Sequence, residues 1–159
     1  MKVFFTLALI CLTKFLSCQD FIFNFIDEKT SAIVVNDFDG DGFEDIFGVQ
    51  YNSSSRDIYL LVNTKFSSTP AFTQKVVKLN SGNKGNIVAF DYEGDGDMDV
   101  LYAKGDNLDM EVFLNDGKGT FTSKPLGISG SWRCEVLDMD KDGDADIVGI
   151  NYTEHKIYV

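Results

Sequence analysis

Fifteen carboxylates of this chain fall into three nine-residue stretches with one shared spacing. The stretches are Asp37-Phe-Asp-Gly-Asp-Gly-Phe-Glu-Asp45, Asp91-Tyr-Glu-Gly-Asp-Gly-Asp-Met-Asp99 and Asp138-Met-Asp-Lys-Asp-Gly-Asp-Ala-Asp146. Positions 1, 3, 5 and 9 are acidic in every copy, and position 6 is glycine: Gly42, Gly96 and Gly143. In a tight loop alternate side chains point to the same side, so acids at 1, 3 and 5 converge. Glycine at 6 permits the sharp turn that brings position 9 round. The carbonyl of position 7 (Phe43, Asp97 and Asp144) can then point inward. With oxygen donors alone and no His or Cys, such a loop suits Ca²⁺ rather than Zn²⁺ or Cu²⁺. Mg²⁺ suits it less, because it demands a stricter octahedron and keeps its waters. The alternative is three solvated acidic turns that hold no ion. That reading gives no reason for one spacing three times over.

The charge distribution points the same way. The chain has 159 residues, 14 Lys+Arg and 25 Asp+Glu, a net charge of −11. The three stretches contain one base, Lys141; they carry −14 and the remainder carries +3. The protein is therefore near neutral with three intense negative spots, each self-repelling unless a cation sits among its carboxylates. An acidic chain of this kind lacks the basic face that nucleic-acid binding requires. A hydrophobic content of 44% with only 2 Pro excludes a disordered or collagen-like chain.

Short strands must hold these loops. Ala32–Val35, Ile87–Phe90 and Cys134–Leu137 precede them, and Ile46–Val49, Val100–Ala103 and Ile147–Ile150 follow. All six are apolar runs bounded by turn residues. Third strands are expected at Asp57–Asn63 and Leu108–Asn115, and fourth strands at Ala71–Leu79 and, less clearly marked, Thr120–Pro125. Asn115-Asp-Gly-Lys-Gly119 joins a third strand to a fourth as a hairpin turn. No segment after residue 18 has helical periodicity. The loops start 54 and 47 residues apart, a period that marks a solenoid, propeller or array. Four antiparallel strands per repeat make one propeller blade. The expected fold is all-β: blades at about 31–80 and 86–128, and a partial third at 132–159. A closed propeller takes about four to eight blades, so the array reads as a fragment of a larger propeller.

Three kinds of Ca²⁺ loop begin in this way. An EF-hand needs a bidentate Glu at position 12, where this chain has Gly48, Tyr102 and Gly149, and it needs helices on both sides. Thrombospondin type 3 repeats pack their loops closer together and use disulfides. The strand–loop–strand form remains. On the three DxDxDGxxD-like loops and the turn Asn115-Asp-Gly-Lys-Gly-Thr-Phe121, the chain resembles the FG-GAP/VCBS repeat family, the blades of integrin-α-type propellers, over residues 31–159. The Gly-Ala-Pro element of integrin repeats is not evident, which favours the VCBS-like branch. The resemblance implies three Ca²⁺ sites. Asp37, Asp39, Asp41 and Asp45 would hold one with the Phe43 carbonyl. Asp91, Glu93, Asp95 and Asp99 would hold a second with the Asp97 carbonyl, Glu93 being a longer ligand than the usual Asp. Asp138, Asp140, Asp142 and Asp146 would hold a third with the Asp144 carbonyl.

The resemblance also implies a secreted adhesion or ligand-recognition module with structural Ca²⁺ and a protein or glycan partner. The alternative is the non-catalytic propeller portion of a secreted carbohydrate- or lipid-active enzyme. Against catalysis, the one histidine, His155, has no nucleophile to pair with by spacing and reads as a surface residue of a strand. Residues 1–18 read as a secretory signal: Lys2, an apolar run Val3–Leu12, then Ser17 and Cys18 near the cleavage site. Lys14 interrupts the run, so it is too short for a membrane span. The mature chain is then 19–159, with Cys134 left as a half-buried strand thiol. Asn52-Ser-Ser54 and Asn151-Tyr-Thr153 are glycan acceptor sequons at equivalent places after second strands, where a surface turn is expected. Phe38, Tyr92 and Met139, all at loop position 2, are expected between neighbouring blades. Trp132 suits packing or glycan stacking. Phe21–Ile26 and Lys156–Val159 are expected as open strand edges through which the chain self-associates.

Overall fold

A computed structural model describes residues 30–50, 56–64, 71–81, 83–105, 107–151 and 154–159. The signal segment, Phe21–Ile26 and the Asn52 sequon lie outside the described residues.

The described residues form eleven strands and no helix. The first blade is β1 (Thr30–Asn36), β2 (Asp45–Gln50), β3 (Ile58–Asn63) and β4 (Phe72–Lys78). The second is β5 (Asn86–Phe90), β6 (Asp99–Ala103), β7 (Asp109–Asn115) and β8 (Phe121–Ser129). The third sheet is β9 (Ser131–Leu137), β10 (Asp146–Asn151) and β11 (Lys156–Tyr158). Each sheet is antiparallel and pairs its strands in chain order. The acidic loops link the first and second strand of each sheet, and β1, β5 and β9 stand side by side.

Alternation along these inner strands assigns one face to each neighbouring blade. Ala32, Val34, Phe47 and Val49 of the first blade meet Ile87, Ala89, Tyr102 and Phe113 of the second. Val88, Phe90, Leu101 and Ala103, on the opposite face of the second blade, meet Cys134, Val136 and Ile147 of the third. Four phenylalanines knit the first interface: the Phe38 ring lies 5.7 Å from Phe121, and Phe47 lies 5.0 Å from Phe121 and 5.7 Å from Phe113. Phe38 therefore packs between blades as expected, and Tyr92 packs against the second interface. Met139 is 51% exposed, because among the described residues no blade covers the far face of β9.

Four local expectations need correction. β8 continues past Pro125 to Ser129. Pro125 sits opposite Glu111 at a register shift on an edge strand, where a missing N–H interrupts no ladder. His155 lies in the turn before β11, exposed and at φ 56°, and not in a strand. Asn151 ends β10 at 4% exposure, so its side chain is not in a surface turn. Its Nδ2 donates to the Ser129 carbonyl at 3.0 Å and its Oδ1 accepts from the Glu154 N–H at 2.9 Å. Cys134 is fully rather than half buried.

Candidate metal centres

Each loop is shaped by its own carboxylates. At position 1, Asp37 accepts the N–H groups of Asp41 and Gly42 at 3.1 and 2.8 Å. Asp91 accepts those of Gly94, Asp95 and Gly96, and Asp138 that of Gly143. At position 5, Asp41, Asp95 and Asp142 each accept the N–H two residues on, at 2.9 to 3.0 Å. Gly42, Gly96 and Gly143 take φ of 88°, 95° and 100°. A Cβ at any of the three would touch nothing, so glycine is there for its backbone conformation and not for space.

The position 9 aspartates do something further. Asp45 accepts the Phe38 N–H at 3.1 Å and the Asn63 N–H at 2.8 Å. Asp99 accepts the Tyr92 and Asn115 N–H groups, both at 2.8 Å. Asp146 accepts the Met139 N–H at 2.8 Å. These buried or half-buried side chains join the loop's start to the blade, and in the first two blades to the end of the third strand. Burial pushes the Asp45 and Asp99 carboxyls above the usual range. The backbone N–H bonds work against that rise, and the neighbouring loop carboxylates add to it.

The structure brings some of the expected ligands together. Carboxylate oxygens of Asp37, Asp39 and Asp45 lie within 4.8 Å of one another, as do those of Asp138, Asp140 and Asp142. The second loop, although fully described, shows no such triad. There Asp97 turns toward Gly117: a Cβ on that glycine would lie 2.4 Å from its Oδ2. Asp39 Oδ1 is buried without a hydrogen-bond partner. A buried carboxylate oxygen of this kind is stabilised by a cation. The donors are all oxygen, and the first and third loops fit Ca²⁺ by donor type and convergence.

The hairpin turn after β7 braces two loops at once. Asn115 Nδ2 donates to the Phe38 carbonyl at 2.9 Å, in the first loop, and to Met98 at 3.1 Å, in the second. Asp116 holds the turn by accepting the Lys118 and Thr120 N–H groups at 3.0 Å. Gly40 of the first loop sits under this turn, with the Gly117 carbonyl 3.1 Å from where its Cβ would be.

The FG-GAP-like repeat profile matches residues 37–102 and 91–149. The chain belongs to the FG-GAP-like repeat family. Each match runs from the first aspartate of one acidic loop through the whole of the next, so the repeating unit of the family is the one the loops mark here. No curated protein and no solved structure matches the chain. FG-GAP-like repeats build propeller modules of the integrin type, typically non-catalytic and usually extracellular or at the cell surface. No helix among the described residues is long and apolar enough to cross a membrane.

An ionic tie between FG-GAP blades was not legible from residue types. Glu111 Oε1 of β7 lies 2.7 Å from Lys78 Nζ of β4, and its Oε2 lies 2.9 Å from Lys104 Nζ. Lys78 also reaches Ser123 Oγ at 3.1 Å. Burial alone would raise the Glu111 carboxyl, but hydrogen bonds from Lys78 and Lys104 outweigh it and hold the group below its ordinary value. A second tie is Asn86, whose Oδ1 accepts the Cys134 N–H at 2.8 Å while its Nδ2 donates to the Cys134 carbonyl at 3.1 Å.

Proposed function

We propose that this chain is a secreted, Ca²⁺-binding recognition module of the VCBS-like branch, in which the cations are structural and no residue is catalytic. The carrying observation is the first loop, where Asp37, Asp39 and Asp45 converge and Asp39 Oδ1 is buried without a partner. Asp41 and the Phe43 carbonyl complete that site. Asp138, Asp140 and Asp142, with Asp146 and the Asp144 carbonyl, hold a second ion. Asp91, Glu93, Asp95 and Asp99, with the Asp97 carbonyl, hold a third. The second loop draws its carboxylates together only on binding. A cation there fixes loops that would otherwise be spread by their own charge, and fixed loops present neighbouring side chains to a protein or glycan ligand.

The test is a pair of melting scans, one in EDTA and one in millimolar Ca²⁺. With site affinities of about 10⁻⁴ M and free Ca²⁺ near 10⁻³ M, each site adds roughly 1.4 kcal/mol. Superimposed scans refute the reading. Asp95→Ala and Asp142→Ala are each expected to lower the Ca²⁺ stoichiometry by one in calorimetric titration.

A further inference from the structure

The first two acidic loops are joined by a buried line of hydrogen bonds. Asp45, at position 9 of the first loop, accepts the Phe38 N–H at 3.1 Å. The carbonyl of that same Phe38 accepts from Asn115 Nδ2 at 2.9 Å. The Asn115 N–H donates to Asp99, at position 9 of the second loop, at 2.8 Å. Asp45, Phe38, Asn115 and Asp99 are all buried. Water therefore does not compete for these bonds, and a low local dielectric strengthens each of them. The line runs from one candidate metal ligand to another through two residues that are not ligands, and it crosses from the first blade to the second. Among the described residues no such line joins the second loop to the third, where Asp146 accepts the Met139 N–H.

Asn115 is the hinge of this line. Its Nδ2 also donates to the Met98 carbonyl at 3.1 Å, so one amide group holds the residue before Asp39 and the residue before Asp99. Those aspartates stand at position 3 of the first loop and position 9 of the second. Asn115 Oδ1 is buried without a hydrogen-bond partner, so the side chain is placed by what its Nδ2 holds and not by its oxygen. The two loops differ in readiness: carboxylates of the first converge and those of the second do not. A cation that draws Asp99 inward fixes Asn115, and through it the peptide that joins Phe38 to Asp39. A cation in the first loop fixes the same peptide and holds Asn115 against Asp99. Ordering that has been met at one site is then not met again at the other.

Resting on the Ca²⁺ reading above, we infer that Asn115 is a positioning residue that couples the first two cation sites, each binding Ca²⁺ more tightly when the other is filled, while the third binds independently. Each loop carries its own reporter, because the N–H groups of Gly42, Gly96 and Gly143 each donate to the position 1 aspartate of their own loop. Two-dimensional amide NMR spectra of the full chain, titrated with Ca²⁺, therefore give three separate midpoints. Asp95→Ala, which disables the second site, should raise the Gly42 midpoint about fivefold or more. Asp41→Ala should raise the Gly96 midpoint by the same factor, since coupling is reciprocal. Asp142→Ala, at the third site, should move neither. Charge alone predicts the opposite sign: the second loop's five carboxylates leave −3 with Ca²⁺ bound and −4 when the loop is empty after Asp95→Ala, so bare electrostatics would lower the Gly42 midpoint. In an Asn115→Ala background, Asp95→Ala should leave the Gly42 midpoint where it was, which a merely structural role for Asn115 would not bring about. If Asn115→Ala fails to fold, the comparison of Asp95→Ala with Asp142→Ala decides on its own. A Gly42 midpoint unmoved or lowered by Asp95→Ala, an equal effect of Asp142→Ala, or an undiminished effect in the Asn115→Ala background overturns the coupling alone. No response of any of the three glycines to millimolar Ca²⁺ overturns the Ca²⁺ reading and the coupling with it.

Discussion

Replacing Glu111 by glutamine keeps the shape of the tie between the first two blades and removes its charge. The Glu111 side chain is 9% exposed and Lys104 beside it is 12% exposed, whereas Lys78 is 32% exposed. In Glu111→Gln, Lys78 swings into water at little cost, but Lys104 is left as a nearly buried ammonium without a counter-charge. Removing one partner of a buried pair costs about 3–5 kcal/mol. The partial exposure of Lys78 argues for the low end, about 3 kcal/mol, roughly a hundredfold in the folding equilibrium. For a chain of this size that is a fall in Tm of about 10 °C. Lys78→Met should cost only about 1 kcal/mol, and a double-mutant cycle isolates the share that crosses between blades. The pH dependence is fixed by sign. Glu111 has a folded pKa below its ordinary 4.5. Its contribution is therefore fully present above that value and drains away as pH falls through the lower folded pKa. The gap between wild type and Glu111→Gln should be constant from pH 7 to 5 and should close in more acid solution. Urea titrations at pH 7 and at stepwise lower pH measure both quantities. A variant within about 0.5 kcal/mol of wild type at pH 7, or a gap that does not shrink in acid, refutes the reasoning.

Asp99→Ala should cost about 2–4 kcal/mol even in EDTA, because it orphans the Tyr92 and Asn115 N–H groups. Asp95→Ala should then lie within about 0.5 kcal/mol of wild type in EDTA, and equal losses in the two variants would overturn the distinction. Cys134, with its thiol pushed up to about 12 by burial, should resist iodoacetamide in the native protein and react on denaturation, read by mass spectrometry of its peptide; equal native and denatured rates refute this. Ile33 and Val35, 57% and 49% exposed, and Leu137 and Met139, 43% and 51% exposed, leave two apolar blade faces open. The chain should self-associate through them, and Ile33→Glu with Met139→Glu should weaken association; light scattering from a monodisperse wild-type monomer at tens of micromolar would refute it.

Much of this fold is written in local pattern. The strands around each loop were legible because their residues alternate between two neighbouring blades, and Gly42, Gly96 and Gly143 were legible because the sharp turn at position 6, with φ of 88°, 95° and 100°, favours glycine. What escaped depends on residues far apart in the chain. Position 9 reads as a ligand from spacing alone, yet Asp45 is also bound to Asn63, 18 residues on, and that bond exists only once β3 has paired with β2. Glu111 looks like an ordinary surface acid of an alternating strand until Lys78, 33 residues earlier, is brought across from the preceding blade. Asn115 was legible as a turn residue, but its bond to the Phe38 carbonyl spans 77 positions. The convergence of Asp37, Asp39 and Asp45 was foreseeable from spacing. Its absence in the second loop was not, because the same acidic spacing at positions 1, 3, 5 and 9 stands there.

Because every strand pairs only with its neighbours in chain order, no sheet has to wait for a distant segment before it can form. Low contact order of this kind favours rapid, local folding, so on the ribosome each blade can assemble as it emerges, with its acidic loop already closed by its own aspartates. The trailing face of that blade, such as Leu101, Ala103 and Met110 in the second, then remains bare until the following blade has been synthesised. Each repeat is therefore born with an unfinished surface that its successor covers. A pause in translation between repeats exposes a sticky sheet face for as long as the pause lasts, which is when a chaperone would be needed most.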